Sequence, residues 1–226
     1  AERGVTTPEP PGLIVDTGRR VIAPALWLKE HAPTHPPVLY VQDPRTLHQR
    51  FDHCFIPAHD PGRGPNVTVT PLVLHRVNPQ RLAAAATRWE PRWQRYHKPW
   101  RGLIVGGPSR SVVWNEATAH AAVTAWLEAA RTARATLFAT TARRTPREFA
   151  AWLTAAMAHY LPESPPPYSG DGENPYLAIL ALTEQRAVTS DSVSMLSETV
   201  AAPGRSYRLE VGRYRKRLRR FHQMWS

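Results

Sequence analysis

Short apolar runs alternate with amphipathic helical patterns through the second half of this chain, and this alternation limits the fold more than any other feature. The apolar runs are 103–105, 135–140 and 187–189, and each is followed by a polar loop and a helical pattern. Parallel strands need a crossover between them, and an intervening helix is the usual one. The second half therefore predicts an α/β domain with a parallel sheet.

The first half shows the same alternation with shorter crossovers. We predict strands at 13–16, 38–42, 53–57 and 66–70, with a helix at 21–29. Asn78 and Pro79 then begin a helix that runs to about Trp89, with proline at its first position. The predicted fold class is α/β, with two Rossmann-like parallel-sheet domains.

Changes in composition divide the chain into segments. Residues 90–101 are rich in Trp, Pro and Arg and lack periodicity, which favours a linker. The last segment predicts an amphipathic helix with Tyr214, Leu218, Phe221 and Trp225 on one side. The predicted segments are a disordered lead-in at 1–12, an N-terminal domain at 13–89, the linker at 90–101, a C-terminal domain at 102–212 and the helix at 213–226.

The net charge of +11 is concentrated near the end of the chain. Six basic residues fall within eight positions: Arg213, Arg215, Lys216, Arg217, Arg219 and Arg220. Such a cluster favours an anionic partner, which leaves a nucleotide, an acidic lipid surface or a nucleic acid open. The lone Cys54 fits a reducing compartment. We expect a cytoplasmic protein, peripheral to the inner face of a membrane.

Polar loops at the carboxyl ends of the predicted strands form a candidate anion site. Glycines, hydroxyls, arginines and helix starts suit a phosphorylated ligand at this edge of a sheet. The candidate residues are Gly106, Gly107, Ser109, Arg110, Arg143, Arg144, Asp191, Ser192, Ser194 and Glu198. Plain turns, a helix cap at Asp191 and a solvated Glu198 remain open as alternatives.

Three acidic or imidazole side chains are candidates for acid–base catalysis. Glu173 lies in a glycine-containing loop before Asn174 and Pro175, and His59 is followed by Asp60. Groups of this kind activate hydroxyl acceptors, although a turn or ordinary loop explains both segments equally well. Scattered histidines and the absence of a recognised metal motif predict no metal site.

Several motifs in combination resemble the mitochondrial-fission "elongated mitochondria" family, which includes plant fission factors and bacterial relatives. The similarity covers the chain from about residue 13. The motifs that carry it are Thr17-Gly18-Arg19-Arg20, Gln42-Asp43-Pro44-Arg45, Gly64-Pro65-Asn66-Val67, Leu74-His75-Arg76-Val77, Gly106-Gly107-Pro108-Ser109-Arg110, Arg143-Arg144-Thr145-Pro146, Asp171-Gly172-Glu173-Asn174-Pro175-Tyr176 and Asp191-Ser192-Val193-Ser194-Met195.

The resemblance implies a glycosyltransferase-B-like fold, in which two α/β domains face a cleft. It implies a donor nucleotide diphosphate in the C-terminal domain, at Gly107, Ser109, Arg110, Arg143, Asp191, Ser192, Ser194 and Glu198. Bacterial members resemble sugar-nucleotide-dependent transferases, whereas plant members are described as adaptors that recruit a dynamin-like protein. The family pattern begins with a further strand and glycine-rich loop, so we expect the N-terminal domain to be incomplete here.

These observations lead to one main hypothesis and two rivals. The main hypothesis is a metal-independent glycosyltransferase that uses a nucleotide-diphosphate sugar, without another cofactor, on an envelope glycan or lipid acceptor. The first rival is a non-enzymatic adaptor with the same fold. A nucleic-acid binder ranks third, because the basic cluster is short and carries no recognised nucleic-acid motif. The oligomeric state stays open.

Overall fold

A computed structural model describes residues 10–224 of the chain. It divides the chain into two compact units, unit 1 at Ala1–Leu74 and unit 2 at His75–Ser226. Most of the predicted disordered lead-in, residues 1–9, lies outside the described residues. Within residues 10–224, every helix is too short or too polar to cross a membrane.

Unit 1 is built on a four-stranded sheet in which the strand order follows the chain, β1-β2-β3-β4. All neighbouring strands are parallel. Alternate side chains of β2 and β3 pack with α1, including Val38, Tyr40, Cys54 and Leu26. The elements are β1 (Ile14–Thr17), α1 (Ile22–His31), β2 (Val38–Val41), β3 (His53–Pro57) and β4 (Val67–Thr70), with 3-10 turns at Arg19–Val21 and Arg45–Arg50.

Unit 2 contains a second parallel sheet, and its strand order does not follow the chain. The order is β7-β5-β8-β9. From β5 the chain forms β7 on one side, and then returns past β5 to form β8 and β9 on the other side. The first elements are α2 (Pro79–Trp93), β5 (Trp100–Val105), β6 (Val112–Trp114), α3 (Glu116–Thr132), β7 (Thr136–Thr141) and α4 (Arg147–Tyr160). The remaining elements are α5 (Tyr176–Leu182), β8 (Gln185–Thr189), α6 (Val193–Val200), β9 (Arg205–Leu209), β10 (Gly212–Tyr214) and α7 (Lys216–Met224).

The strand order of unit 2 reverses between β5 and β8. Crossovers leave these two strands toward opposite sides, which opens a crevice beyond their carboxyl ends. A separate two-stranded ribbon, in which β6 pairs antiparallel with β10, connects the loop after β5 with the start of α7. The α/β class and the parallel sheets predicted from the sequence are confirmed.

Side-chain caps account for where several helices begin. The Asn78 side chain accepts from the Arg81 N–H at 2.9 Å, and that of Asn115 accepts from the Thr118 N–H at 2.8 Å. The sequence Thr145-Pro146-Arg147-Glu148 predicts a helix start with a capping box, and the capping box is wrong. The Thr145 hydroxyl instead accepts from the Ala142 N–H at 3.0 Å and donates to the Gly106 carbonyl, so it joins two strand-end loops.

Three segment boundaries differ from the sequence analysis. Helix α2, predicted within the N-terminal domain at 13–89, belongs to unit 2. Residues 90–101 hold the end of α2 and the start of β5, because Trp93 is buried and stacks on Phe138 with ring centroids 3.6 Å apart. This contact fixes the segment to the sheet of unit 2. Arg213 and Tyr214, expected in the last helix, belong to β10, and Trp225 lies outside the described residues.

Candidate functional site

The loops after β5 and β8 are joined at the point where the strand order reverses. The Gly106 N–H donates to the Thr189 hydroxyl at 2.7 Å. The Gly107 N–H donates to the Asp191 carboxylate at 3.1 Å. Residues that follow two different strands therefore form one continuous polar surface.

Asp191 is the centre of this surface. Its side chain is fully buried, and the Oδ2 atom also accepts from the Arg144 guanidinium. Arg144 is 37% exposed, and its Nε–H donates to the Gly107 carbonyl at 3.2 Å. The second carboxylate oxygen, Oδ1, is buried and has no hydrogen-bond partner among the described residues. The loop after β7, which carries Arg144, is thereby fixed to the loops after β5 and β8.

The two glycines after β5 are required by the packing of the protein itself. A Cβ atom on Gly106 would collide with both carboxylate oxygens of Asp191. A Cβ atom on Gly107 would collide with the Arg144 backbone carbonyl. The space beside these glycines, at the edge where the sequence predicted a phosphorylated ligand, is thus filled by neighbouring protein groups.

A cavity of about 120 Å³ opens beside Asp191, and we call it the switch-point pocket. Hydroxyls and two guanidinium groups dominate its walls. Its lining residues are Ser109, Ser111, Arg144, Asp191, Ser192, Val193, Arg217 and Leu218. The pocket thus has one carboxylate, two arginines and three hydroxyls.

The N-terminus of α6 opens into the switch-point pocket. Ser192 caps the helix by accepting from the Met195 N–H at 3.3 Å. The first N–H groups of a helix have no partner within the helix and carry partial positive charge, which suits an anion. This helix start lies at the carboxyl edge of the sheet, where such sites are usual in α/β folds.

Helix α7 is fastened to the same strand-end loop. The His222 Nε2 atom lies 2.9 Å from the Ser190 carbonyl oxygen, and the Ser190 hydroxyl donates to the Leu209 carbonyl at 2.6 Å. Burial lowers the pKa of His222. Burial and the adjacent Glu210 raise the pKa of Tyr214, whose hydroxyl contacts Ser190, to about 12. The basic helix is therefore part of the architecture around the pocket.

Several predicted anion-site residues lie outside the pocket lining. Arg110, Arg143 and Ser194 are exposed. Glu198 is half-buried and accepts a hydrogen bond from the Tyr176 hydroxyl. Burial raises the pKa of that phenol. The structure thus brings Ser109, Arg144, Asp191 and Ser192 together, with Gly106 and Gly107 behind them.

The predicted catalytic Glu173 lies against α2. Its carboxylate forms ion pairs with Arg88 at 2.6 Å and Arg92 at 2.8 Å. The hydrogen bond from Arg92 is the main reason that the pKa of Glu173 is lowered. A lower pKa keeps this side chain ionised and makes it a weaker base.

His59 and Asp60 belong to unit 1, where both side chains are buried. The His59 Nε2 and Asp60 Oδ2 atoms are 3.8 Å apart, which exceeds a direct hydrogen bond. They follow β3, the strand that contributes Cys54 and Ile56 to the core of unit 1. Buried side chains at this position, directly after β3, are expected to support the core of unit 1.

Sequence reasoning missed Ser111 and Arg217 as pocket residues. Ser111 follows the predicted loop, and its carbonyl accepts from the Arg215 N–H at 2.9 Å. Arg217 was assigned only to a basic surface. The pairing of β6 with β10 brings the two segments together, and strands of three residues leave little periodic signal in a sequence.

Comparison with known proteins gives two findings. The family model described as "Mitochondrial fission ELM1" matches residues 1–225. The "Mitochondrial fission protein ELM1" of Arabidopsis thaliana is 25% identical over 213 residues, covering 83% of this chain and 49% of the relative. The chain therefore spans about half the length of the curated relative that it matches.

Proposed function

The chain belongs to the mitochondrial fission ELM1 family, as its motifs predicted, and from that premise we propose that unit 2 binds a nucleotide-diphosphate sugar in the switch-point pocket. The proposed activity is a metal-independent glycosyltransferase that acts on an envelope glycan or lipid acceptor. The observation that carries the proposal is the start of α6 beside Arg144 and Arg217, where the strand order reverses.

The diphosphate would lie against the start of α6. The helix N–H groups, the Ser109 and Ser192 hydroxyls and the two pocket arginines supply donors and positive charge to phosphate oxygens. Asp191 takes part of the charge of Arg144 and holds its guanidinium in place.

The same groups would stabilise the leaving diphosphate. Negative charge grows on the diphosphate as the bond to the sugar breaks, and fixed donors stabilise that charge without reorganisation. Glu198, held by Tyr176, would accept ribose hydroxyls through its other oxygen. His59 with Asp60 would activate the acceptor hydroxyl. Glu173 is less suited as a base because Arg92 lowers its pKa.

The basic residues of β10 and α7 support a membrane-associated role. Arg213, Arg215, Lys216, Arg217, Arg219 and Arg220 are all exposed, whereas Leu218 and Phe221 are buried in unit 2. Each cation near an anionic leaflet contributes about 1 kcal/mol to binding. We therefore propose peripheral attachment to an anionic lipid surface. The two-domain cleft of glycosyltransferase-B enzymes remains part of the proposed architecture.

A thermal-shift titration with UDP, GDP, ADP and CMP tests the donor site. A ligand at 100 times its dissociation constant stabilises a protein by about 2.7 kcal/mol, and we expect one nucleotide to do so. Arg144→Ala should abolish the shift, because it removes a pocket guanidinium. Arg147→Ala is the matched control, since Arg147 is exposed and does not line the pocket.

The result also separates the transferase from the adaptor. A shift with one nucleotide that survives in Arg147→Ala and in excess EDTA, but not in Arg144→Ala, supports a metal-independent donor site. If none of the four nucleotides changes the melting temperature, the donor-site proposal is wrong, and the adaptor function of the same fold gains support.

A further inference from the structure

Unit 2 contains a larger cavity, of about 520 Å³, which shares no lining residue with the switch-point pocket. It lies between the end of α2, the strand β7 and the segment 165–175. Trp89, Tyr96 and Tyr168 are half-buried rings in its walls. We call it the aromatic cavity. Its volume falls in the range of sites for small organic ligands, about 300 to 1,000 Å³.

The floor and one wall of the aromatic cavity are rigid. Trp93 and Phe138 stack with an interplanar angle of 9°, and they are only 3% and 4% exposed. The Tyr168 N–H donates to the Ala139 carbonyl at 2.9 Å, and its carbonyl accepts from the Thr141 N–H at 2.9 Å. Tyr168 thus extends the sheet beside β7. A cavity held in this way is formed before a ligand arrives.

The charged groups of the cavity cancel each other. Arg92 and Arg95 are balanced by Asp171 and Glu173. Arg92 pairs with Glu173 at 2.8 Å and lies over the Trp89 ring, with its Cζ atom 4.9 Å from the ring centroid. The exposed Asp171 carboxylate forms no ion pair or hydrogen bond within the described residues. The cavity therefore offers aromatic faces, paired charges and one open acceptor, and the charges of its lining residues sum to zero.

We propose that the aromatic cavity binds a neutral carbohydrate. The C–H faces of a sugar ring are apolar and pack on aromatic side chains, while its hydroxyls pair with carboxylates and guanidinium groups. A nucleotide would add negative charge where the lining residues supply no excess of positive charge. A wholly apolar ligand would remove water from Asp171 and Arg95 without replacing their hydrogen bonds. The proposal goes beyond donor binding and does not depend on it.

Tryptophan fluorescence can follow binding, because Trp89 and Trp93 both line the cavity. The probes are maltotriose, cellotriose, mannotriose and N,N′,N″-triacetylchitotriose, each titrated to about 20 mM, well above a dissociation constant of 1 mM. We expect a saturable change with at least one sugar. Trp89→Ala should weaken that binding about tenfold or more, as loss of a central aromatic contact does.

Matched variants make the test specific. Asp171→Asn changes one exposed oxygen and leaves the packing intact, so weaker sugar binding in this variant cannot come from misfolding. Arg144→Ala, in the switch-point pocket, should bind the sugar normally even if the nucleotide proposal fails. Absence of a saturable change with all four sugars overturns the proposal. So does a signal that neither cavity variant alters, or saturation by a decaproline peptide alone, which would assign the rings to a polyproline ligand.

Discussion

Both parallel sheets carry an aspartate two residues beyond a strand end, and the aspartate in unit 2 lines the switch-point pocket. Asp43 follows β2 in unit 1 and accepts from the Arg45 N–H at 2.6 Å and the Gly62 N–H at 3.1 Å. Asp191 follows β8 in unit 2 and accepts from the Gly107 N–H and from Arg144. The two carboxylates do the same local work of tying neighbouring loops together.

The difference comes from the order of the strands. In unit 1 the chain moves steadily from β1 to β4, so successive crossovers lie side by side. Right-handed crossovers that advance in one direction all fall on the same face of a sheet. In unit 2 the order reverses between β5 and β8, and the crossovers diverge. A carboxylate at that position is buried between three loops and borders an opening, whereas Asp43 is half-buried and joins the loop after β2 to the loop after β3.

The largest expected effect is at Asp191, which is more closely packed than Asp43. Gly106→Ala places a Cβ against the buried Asp191 carboxylate and should lower the free energy of unfolding by about 3 kcal/mol, at the upper end for overpacking. Urea unfolding followed by tryptophan fluorescence suits the measurement, because Trp27 is the only tryptophan among residues 1–74. Gly12→Ala, where a Cβ meets nothing within 4 Å, is the control.

A double variant shows whether the collision is the cause. In an Asp191→Ala background the carboxylate is gone, so adding Gly106→Ala should cost less than about 1 kcal/mol. An equal cost in both backgrounds would mean that the Gly106 backbone, and not its contact with Asp191, sets the requirement for glycine. The different surroundings of Asp191 and Asp43 would then not explain the requirement for glycine at position 106.

A second, smaller effect compares the aspartates directly. Asp191→Ala should destabilise by about 2 kcal/mol, because it removes charge-assisted hydrogen bonds at a buried position. Asp43→Ala should cost about 1 kcal/mol, since Asp43 is half-buried and water can replace it. Amide hydrogen exchange measures each site separately, at the Gly107 N–H for Asp191 and the Gly62 N–H for Asp43. Equal loss of protection at the two amides would contradict the comparison.

The sequence predicted the elements of both sheets better than it predicted the site in unit 2. Apolar runs such as 53–57 became strands, and Asn78 caps a helix where expected, because these signals act over a few residues. The role of Thr145 was missed, since its hydroxyl bonds to the loop after β5, 39 residues away in the sequence. Local capping preference gave way to a tertiary contact.

The site itself depends on contacts between distant segments. Nothing near Gly106 in the sequence indicates that Asp191, 85 positions later, occupies the space that a side chain would need. The sequence did place Ser109, Arg144, Asp191 and Ser192 in one candidate set, because loops after parallel strands share an edge. It could not separate them from Arg110 and Arg143, which have the same chemistry but do not line the pocket.

The smallest expected effect concerns His222, which fastens α7 beside Asp191 through Ser190. Burial, with a contribution from the positive charge of Arg208, lowers the pKa of His222 below its usual 6.5. The unfolded chain therefore binds a proton at a higher pH than the folded protein does, so this histidine contributes stability above about pH 6.5 that is lost as the pH falls.

Between pH 7.5 and 5.5, His222→Gln should reduce the acid-dependent loss of unfolding free energy by about 1 kcal/mol or less. Urea midpoints at both pH values provide the measurement, and His159→Gln, an exposed position, is the control. An unchanged pH dependence in His222→Gln would show that another group governs the acid sensitivity of unit 2, and that α7 is fastened to the switch-point loops without a titrating contact.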